Sequence, residues 1–257
     1  MDSDFLHINQ WVTGADTDPV AVFLHGFMGS SKDWAFLSDQ LSCTVLAIDL
    51  PGHGQSEALE DVHWIAATAD QIAHQLQVRG IEKCHLIGYS LGGRIAMQLA
   101  IRYPNLFDRI VLESCHPGLD NQAERVRRKK RDKRWSKRFR TDWPQVLEDW
   151  YEQDVFASVA DPSHLIQARL KNDPIALEKA MMGFSLSGQD SCWNQTHSIL
   201  YLCGEFDPKY GDVGRRLSNK NASVRHQTVS HCGHNVHLES AETYLELLTS
   251  FLEIDLK

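Results

Sequence analysis

Short apolar runs alternate with longer segments of helical period along most of this chain, and no other feature restricts its fold as strongly. Residues 20–25, 43–49, 84–89, 109–113, 199–203 and 223–229 are rich in Val, Ile and Leu and read as strands. Several are apolar at consecutive positions, as expected when both faces of a parallel sheet are covered. Between them, 63–78, 91–102 and 236–256 read as helices; in the last, Leu238, Tyr244, Leu245, Leu248 and Leu252 share one face. This alternation predicts an α/β fold with a mostly parallel, doubly wound sheet.

The alternation fails once. From Ser114 to Ser198, roughly 80 residues contain amphipathic helical patterns but no convincing strand. Trp143-Pro144, Asp161-Pro162 and Asp173-Pro174 each suit a helix start, because Pro fits the first turn where no N–H is needed. The expected organisation is a core of 1–114 and 198–257 with a helical lid, 115–197, over the carboxyl edge of the sheet. There is no internal repeat or low-complexity linker, and the lid is not expected to fold alone.

Charge marks the same insertion. The formal net charge is −8, from 26 basic and 34 acidic residues. Residues 125–140, RVRRKKRDKRWSKRFR, hold eleven of the basic residues and one acidic one, so the remainder is strongly acidic. The net −8 argues against nucleic acid as the main partner, while one short segment is suited to anions in a chain that otherwise repels them. A hydrophobic fraction of 42% suffices for a sizeable core and excludes a disordered chain. No apolar run approaches the roughly 18 residues of a membrane helix. Met1-Asp2-Ser3-Asp4 is acidic where a signal peptide is basic. The six cysteines are scattered without a CxxC pair, and Cys84 and Cys203 lie inside apolar runs, so they read as reduced core residues. A cytoplasmic enzyme is the expectation.

Gly88-Tyr89-Ser90-Leu91-Gly92 lies between a strand and a helix, the context in which G-x-S-x-G is a nucleophile elbow. The serine occupies a strained turn, and side chains two positions either side of it would strike the neighbouring strand and helix. The bland alternative is a helix N-cap. His25-Gly26-Phe27-Met28-Gly29 follows another strand, and the N–H groups of Phe27 and Leu91 form a candidate two-donor oxyanion hole. His25 reads as a buried brace for this loop, not a base.

In this architecture an acid and then a base follow the serine in the chain. His234, within Ser230-His231-Cys232-Gly233-His234-Asn235, is the candidate base. Asp207, in the turn after 199–203, is the favoured acid, with Glu113 as backup and Glu205 as a loop brace. His231 and His237 read as surface residues or supports of the site. The spacing of His231, His234 and His237 hints at zinc, but no carboxylate or thiolate cluster accompanies it, and no metal is expected. Asp49-Leu50-Pro51-Gly52-His53-Gly54-Gln55-Ser56 lacks GK[ST] and GxGxxG, so it is a structural loop and not a phosphate cradle.

Together HGFMGSSKDW, DLPGHGQS and GYSLGGR resemble the α/β-hydrolase fold over nearly the whole chain. GYSLGGR followed by ESCHPGL (113–119), an Arg-rich helix, DWYEQDVFASV (149–159) and YLCGEFDPKY (201–210) is similar to one branch. That branch is the 2-succinyl-6-hydroxy-2,4-cyclohexadiene-1-carboxylate synthase family of menaquinone biosynthesis. The resemblance implies a lyase that eliminates pyruvate from an enolpyruvyl-bearing cyclohexene acid carrying three carboxylates. It implies Ser90, Asp207 and His234 as the triad. Tyr89, Arg94, Gln122, Arg128, Trp150 and Arg169 are implied to contact substrate, Arg128 being chosen over Arg125 and Arg127 by spacing. No cofactor is implied. The implied partner is the small-molecule tricarboxylate, with no nucleic acid, membrane or obligate protein partner.

The residues supply a reason for this resemblance. Plain ester hydrolases need an apolar acyl pocket, where an arginine one turn beyond the nucleophile would be a costly unpaired charge. A substrate carboxylate makes that arginine useful. Arg94, Arg128 and Arg169 would then each hold one carboxylate, while much of the basic run attracts anions at longer range. The same triad also suits a carboxylesterase, thioesterase or carbon–carbon bond hydrolase. A non-catalytic receptor would be expected to lack a triad member, and a nucleic-acid binder would associate in a steeply salt-dependent way.

Overall fold

The computed structural model describes residues 6–11, 19–60 and 64–257. The acidic residues 1–4 and His63, expected to open a helix, lie outside these. Seven strands form one sheet in the order β1-β3-β2-β4-β5-β6-β7. They are β1 (Ile8–Trp11), β2 (Val20–Leu24), β3 (Thr44–Ile48), β4 (Cys84–Tyr89), β5 (Phe107–Glu113), β6 (Ser198–Gly204) and β7 (Val224–Val229). All neighbours run parallel except β1, which pairs antiparallel to β3 with Ile8 opposite Ile48. The edge strand β1 was not expected, because Ile-Asn-Gln-Trp carries too short an apolar signal.

Strand side chains alternate between two cores, as period-2 geometry requires. Val22, Leu24, Leu86, Ile110, Leu112 and Ile199 face one core. Helices α2 (Trp64–Val78), α3 (Leu91–Arg102) and α8 (Pro208–Lys220) bury their apolar faces there. Ala21, Phe23, Ile87, Val111, Leu200 and Leu202 face the other core. There they meet Trp34 and Leu37, the latter from the short α1 (Ala35–Ser38), and a terminal pair of helices. The expected helix 236–256 is that pair, α9 (Val236–Glu239) and α10 (Ala241–Leu252), parted at Ser240, whose backbone leaves the helical region at φ −143° and ψ 58°.

Between β5 and β6 the described chain is helical and contains no strand. It comprises α4 (Gln122–Thr141), α5 (Gln145–Tyr151), α6 (Ser163–Arg169) and α7 (Pro174–Gly183), with short 3₁₀ turns. Each expected Pro-marked start precedes a helix. Asp173 caps α7, its side chain accepting from the Ile175 N–H at 2.8 Å. Phe139, Val146, Leu147, Leu177 and Met181 form the lid's own cluster, but Met28, from the loop after β2, completes it. That shared residue joins the lid's cluster to the core. The six cysteines are buried and free. Among the described residues, no helix is long and apolar enough to cross a membrane.

Candidate active site

The carboxyl ends of β2, β4, β6 and β7 deliver one residue set to a cavity under the lid. Ser90 sits between β4 and α3 at φ 49° and ψ −103°, a conformation a side chain rarely tolerates. The turn is enforced by its glycines. A Cβ on Gly88 would lie 2.6 Å from the Gly92 backbone, and one on Gly92 would lie 2.1 Å from the Leu24 carbonyl oxygen. His234 Nδ1–H donates to Asp207 Oδ2 at 2.6 Å, and the Ser90 hydroxyl lies 3.3 Å from His234 Nε2. Asp207 and His234 are almost fully buried. The elbow serine, the turn aspartate and the loop histidine therefore meet as their order in the chain predicted.

Phe27 and Leu91 line the same cavity as Ser90 and His234. Their backbone N–H groups donate to no protein acceptor among the described residues, so they are available to an oxyanion. His25 braces this loop as expected. Its Nε2 accepts from the Leu50 N–H at 2.9 Å, so Nδ1 carries the proton it donates to the Gly26 carbonyl at 2.7 Å. Burial lowers its pKa. The loop after β3 is structural too, with the Asp49 carboxylate accepting from the Ser31 and Gln55 N–H groups.

Of the expected substrate contacts, Tyr89, Arg94, Arg128 and Trp150 line the cavity. Arg94 is buried at 8% exposure, with Nε donating to Gln189 Oε1 at 2.6 Å and Nη2 to the Phe184 carbonyl at 2.7 Å. Nη1 makes no protein hydrogen bond among the described residues. Burial and the nearby Arg128 guanidinium lower the Arg94 pKa to about 9, which leaves it charged at neutral pH. Arg128 Nε donates to both oxygens of the buried Asp132, at 2.8 and 2.7 Å. Arg125, its rival by spacing, is spent on the carbonyls of Ser187 and Gln189. Arg127 lies on the outer face of α4. Burial raises the Tyr89 pKa well above its usual value, and the phenol donates to Asn235 Oδ1.

Two expected contacts do not reach the cavity. Gln122 is exposed at the start of α4, six residues before Arg128, which is about 9 Å along a helix axis. Arg169 is buried against Asp33, to which Nη1 and Nη2 donate at 2.8 Å each. Glu113 is not on His234 either. It accepts from His237 Nδ1 at 2.8 Å, so of the two expectations for His237, surface residue or support of the site, burial removes the first. Glu205 braces its loop as expected, accepting from the His231 N–H.

Sequence reasoning missed several lining residues: His116, Arg131, Gln153, Lys209 and Tyr210. Signals for three were at hand. Arg131 follows Arg128 by three residues on one helix face, and Lys209 and Tyr210 open the helix beginning just after Asp207. Burial and the surrounding cations Lys209, Arg94 and Arg128 lower the His116 pKa to about 4. Among the described residues, no group of three or more His, Cys, Asp or Glu is arranged to hold a metal.

A seven-stranded sheet, an elbow serine under strain and a buried aspartate–histidine pair define an enzyme of the α/β-hydrolase class. The family model for the alpha/beta hydrolase fold matches residues 19–241. Within that class the similarity is narrower. The 2-succinyl-6-hydroxy-2,4-cyclohexadiene-1-carboxylate synthase of Citrobacter koseri is 35% identical over 94% of this chain and 96% of its own. That of Salmonella paratyphi B is 36% identical over 95% and 98%. The structure of MenH from S. aureus superposes with a TM-score of 0.89 at 26% identity, covering 96% of this chain and 98% of that one. An enol-lactonase from Burkholderia xenovorans shares the fold, with a TM-score of 0.79 at 20% identity over 96% of each chain. This chain belongs to the 2-succinyl-6-hydroxy-2,4-cyclohexadiene-1-carboxylate synthase family.

Proposed function

We propose that the chain is a carbon–oxygen lyase of menaquinone biosynthesis. It eliminates pyruvate from 2-succinyl-5-enolpyruvyl-6-hydroxy-3-cyclohexene-1-carboxylate to give 2-succinyl-6-hydroxy-2,4-cyclohexadiene-1-carboxylate. The observation that carries this reading is Arg94, a buried guanidinium one turn beyond Ser90 that lines the cavity and whose Nη1 has no hydrogen bond among the described residues. A charge there costs an ester hydrolase its apolar acyl pocket and gives a carboxylate substrate its anchor.

Ser90 acts as the base, its own proton passing to His234 as it takes the proton from the ring carbon beside the succinyl ketone. Asp207 orients His234 and stabilises the imidazolium. Charge develops on the ketone oxygen, where the Phe27 and Leu91 N–H groups stabilise the enolate; one such donor is typically worth about 2.7–4 kcal/mol. Collapse of the dienolate breaks the ring C–O bond. Enolpyruvate leaves, accepts the proton held by His234 and becomes pyruvate, with no acyl-enzyme. Arg94 and Arg128 hold carboxylates, and Arg131 and Lys209 take the place expected for Arg169.

Pyruvate release by the wild type, Ser90→Ala and Arg94→Ala tests the reading, with a p-nitrophenyl ester as control. Fast release lost in both variants, with little ester cleavage, is expected. Ester turnover that needs Ser90 but not Arg94, without pyruvate, would leave a carboxylesterase or related hydrolase.

A further inference from the structure

We propose that Arg169 is a positioning residue that fixes the oxyanion loop from the lid, and not a ligand of a substrate carboxylate. The inference rests on the reading of Phe27 as an oxyanion donor. Its basis is a pair of lid–core contacts that bracket the turn carrying that N–H.

The turn begins at Gly26 and closes with the Gly29 N–H donating to the Gly26 carbonyl at 3.0 Å. Met28 within it has φ 63°, a left-handed conformation unfavourable for methionine, so something outside the turn must hold it. Arg169, the last residue of α6, and Asn172, three residues beyond it, do so. Asn172 Nδ2–H donates to the Met28 carbonyl at 2.9 Å. Arg169 clamps Asp33 through both terminal nitrogens at 2.8 Å. Asp33 in turn caps the segment after the turn, accepting from the Ser30 N–H at 3.4 Å. Its carboxylate lies against Gly29 so closely that a Cβ there would come within 2.6 Å of Oδ2. The lid thus grips the loop on its carbonyl side and under its last glycine. Phe27 is held from above, packed on Phe139 and Trp150 at ring distances of 5.7 and 5.4 Å.

The guanidinium is already committed. Its two terminal nitrogens are taken by Asp33, the Tyr151 hydroxyl lies beside it, and Nε is enclosed without a partner. Neither Arg169 nor Asp33 lines the cavity that holds Ser90. To reach a substrate carboxylate, Arg169 would have to abandon a buried bidentate pair and leave Asp33 charged and alone, a costly exchange. Held in place, it sets where the Phe27 N–H points, and rate depends steeply on that geometry.

The test separates the two roles by probe charge. The wild type, Arg169→Met and Asn172→Ala are assayed for pyruvate release, giving kcat and KM, and for phosphonylation of Ser90 by a neutral fluorophosphonate. The label needs the nucleophile and the oxyanion hole but no carboxylate contact. Arg169→Met, which strands Asp33, is paired with Asp33→Asn/Arg169→Met, and melting curves accompany every variant. Asn172→Ala removes one hydrogen bond and leaves the ion pair intact, so it decides the matter if the Arg169 variants do not fold. The expected result is a fall in kcat of about ten- to a hundred-fold, a matching fall in labelling rate, and KM within about twofold of wild type. A tenfold rise in KM for Arg169→Met with labelling unchanged would overturn the proposal and make Arg169 a carboxylate ligand. So would unchanged kcat and labelling in Asn172→Ala. If the wild type labels at Ser90 but releases no pyruvate, the lyase reading fails, and slowed labelling in the variants still upholds the positioning role. A wild type that does neither has no working hole, and both ideas fall.

Discussion

His53 packs on His25 and Phe27 at ring distances of 5.2 and 5.3 Å and is buried, with Nδ1 donating to the Pro51 carbonyl and Nε2 without a partner. Burial, aided by His25, lowers its pKa from 6.5 to about 3, and His116 behaves likewise at about 4. Between those values and 6.5 the unfolded chain binds protons that the folded chain refuses. Stability is therefore full above pH 6.5 and declines as pH falls toward 4, by about 1.4 kcal/mol per pH unit for each group. The melting temperature of His53→Gln should fall less steeply between pH 6.5 and 4.5 than that of the wild type. Parallel curves would mean that His53 protonates freely in the folded state. At this scale the meeting of Ser90, Asp207 and His234 was readable, because they stand in a known order and each follows a recognisable strand. The fate of Arg169 was not: its partner Asp33 lies 136 positions away, and spacing cannot reveal that a cation is already neutralised. Glu113 and His237, 124 positions apart, were hidden for the same reason.

At the scale of elements, the seam between lid and sheet layer is the informative place. Gly183 ends α7 where Trp64 begins α2, and a Cβ on Gly183 would lie 2.2 Å from the Trp64 ring. Phe184 then meets the same indole edge-on at 5.1 Å. The missing side chain lets a lid helix close onto a core helix and brings the Phe184 carbonyl to Arg94 Nη2. Gly183→Ala should overpack this seam at a cost of about 1–3 kcal/mol and lower the melting temperature by several degrees. Gly188→Ala, with open space around its Cβ position, is the control and should be near neutral. Equal melting temperatures for wild type and Gly183→Ala would mean that the seam yields. Helix starts in the lid were legible from their prolines, and the sheet from its apolar runs. Strand β1 and the break at Ser240 were not, since a four-residue edge strand and a change of helix axis leave little trace in periodicity.

Across the whole molecule, charge is arranged more sharply than the net −8 suggests. The exposed face of α4 presents Arg127, Lys130, Arg131, Lys133, Arg134 and Lys137 around an open groove. Arg131 lines both this groove and the cavity of Ser90. Its partial pairing to Asp132 at 3.8 Å leaves it within reach of either. An acidic remainder repels a tricarboxylate, so this basic face is expected to receive it, with Arg131 shared by groove and cavity. Such steering acts on association and is screened by salt, with a Debye length of about 10 Å at 0.1 M. Wild-type kcat/KM for the tricarboxylate should therefore fall as ionic strength rises, while kcat holds. Replacing Arg127, Lys130, Arg134 and Lys137 together with Gln keeps helix propensity, since Gln ranks with Lys and Arg. That variant should lose several-fold in kcat/KM at low salt, keep its kcat and show a flatter salt dependence. If its slope matches that of the wild type, the outer face plays no part in capture, and attraction arises within the cavity from Arg94, Arg128 and Lys209.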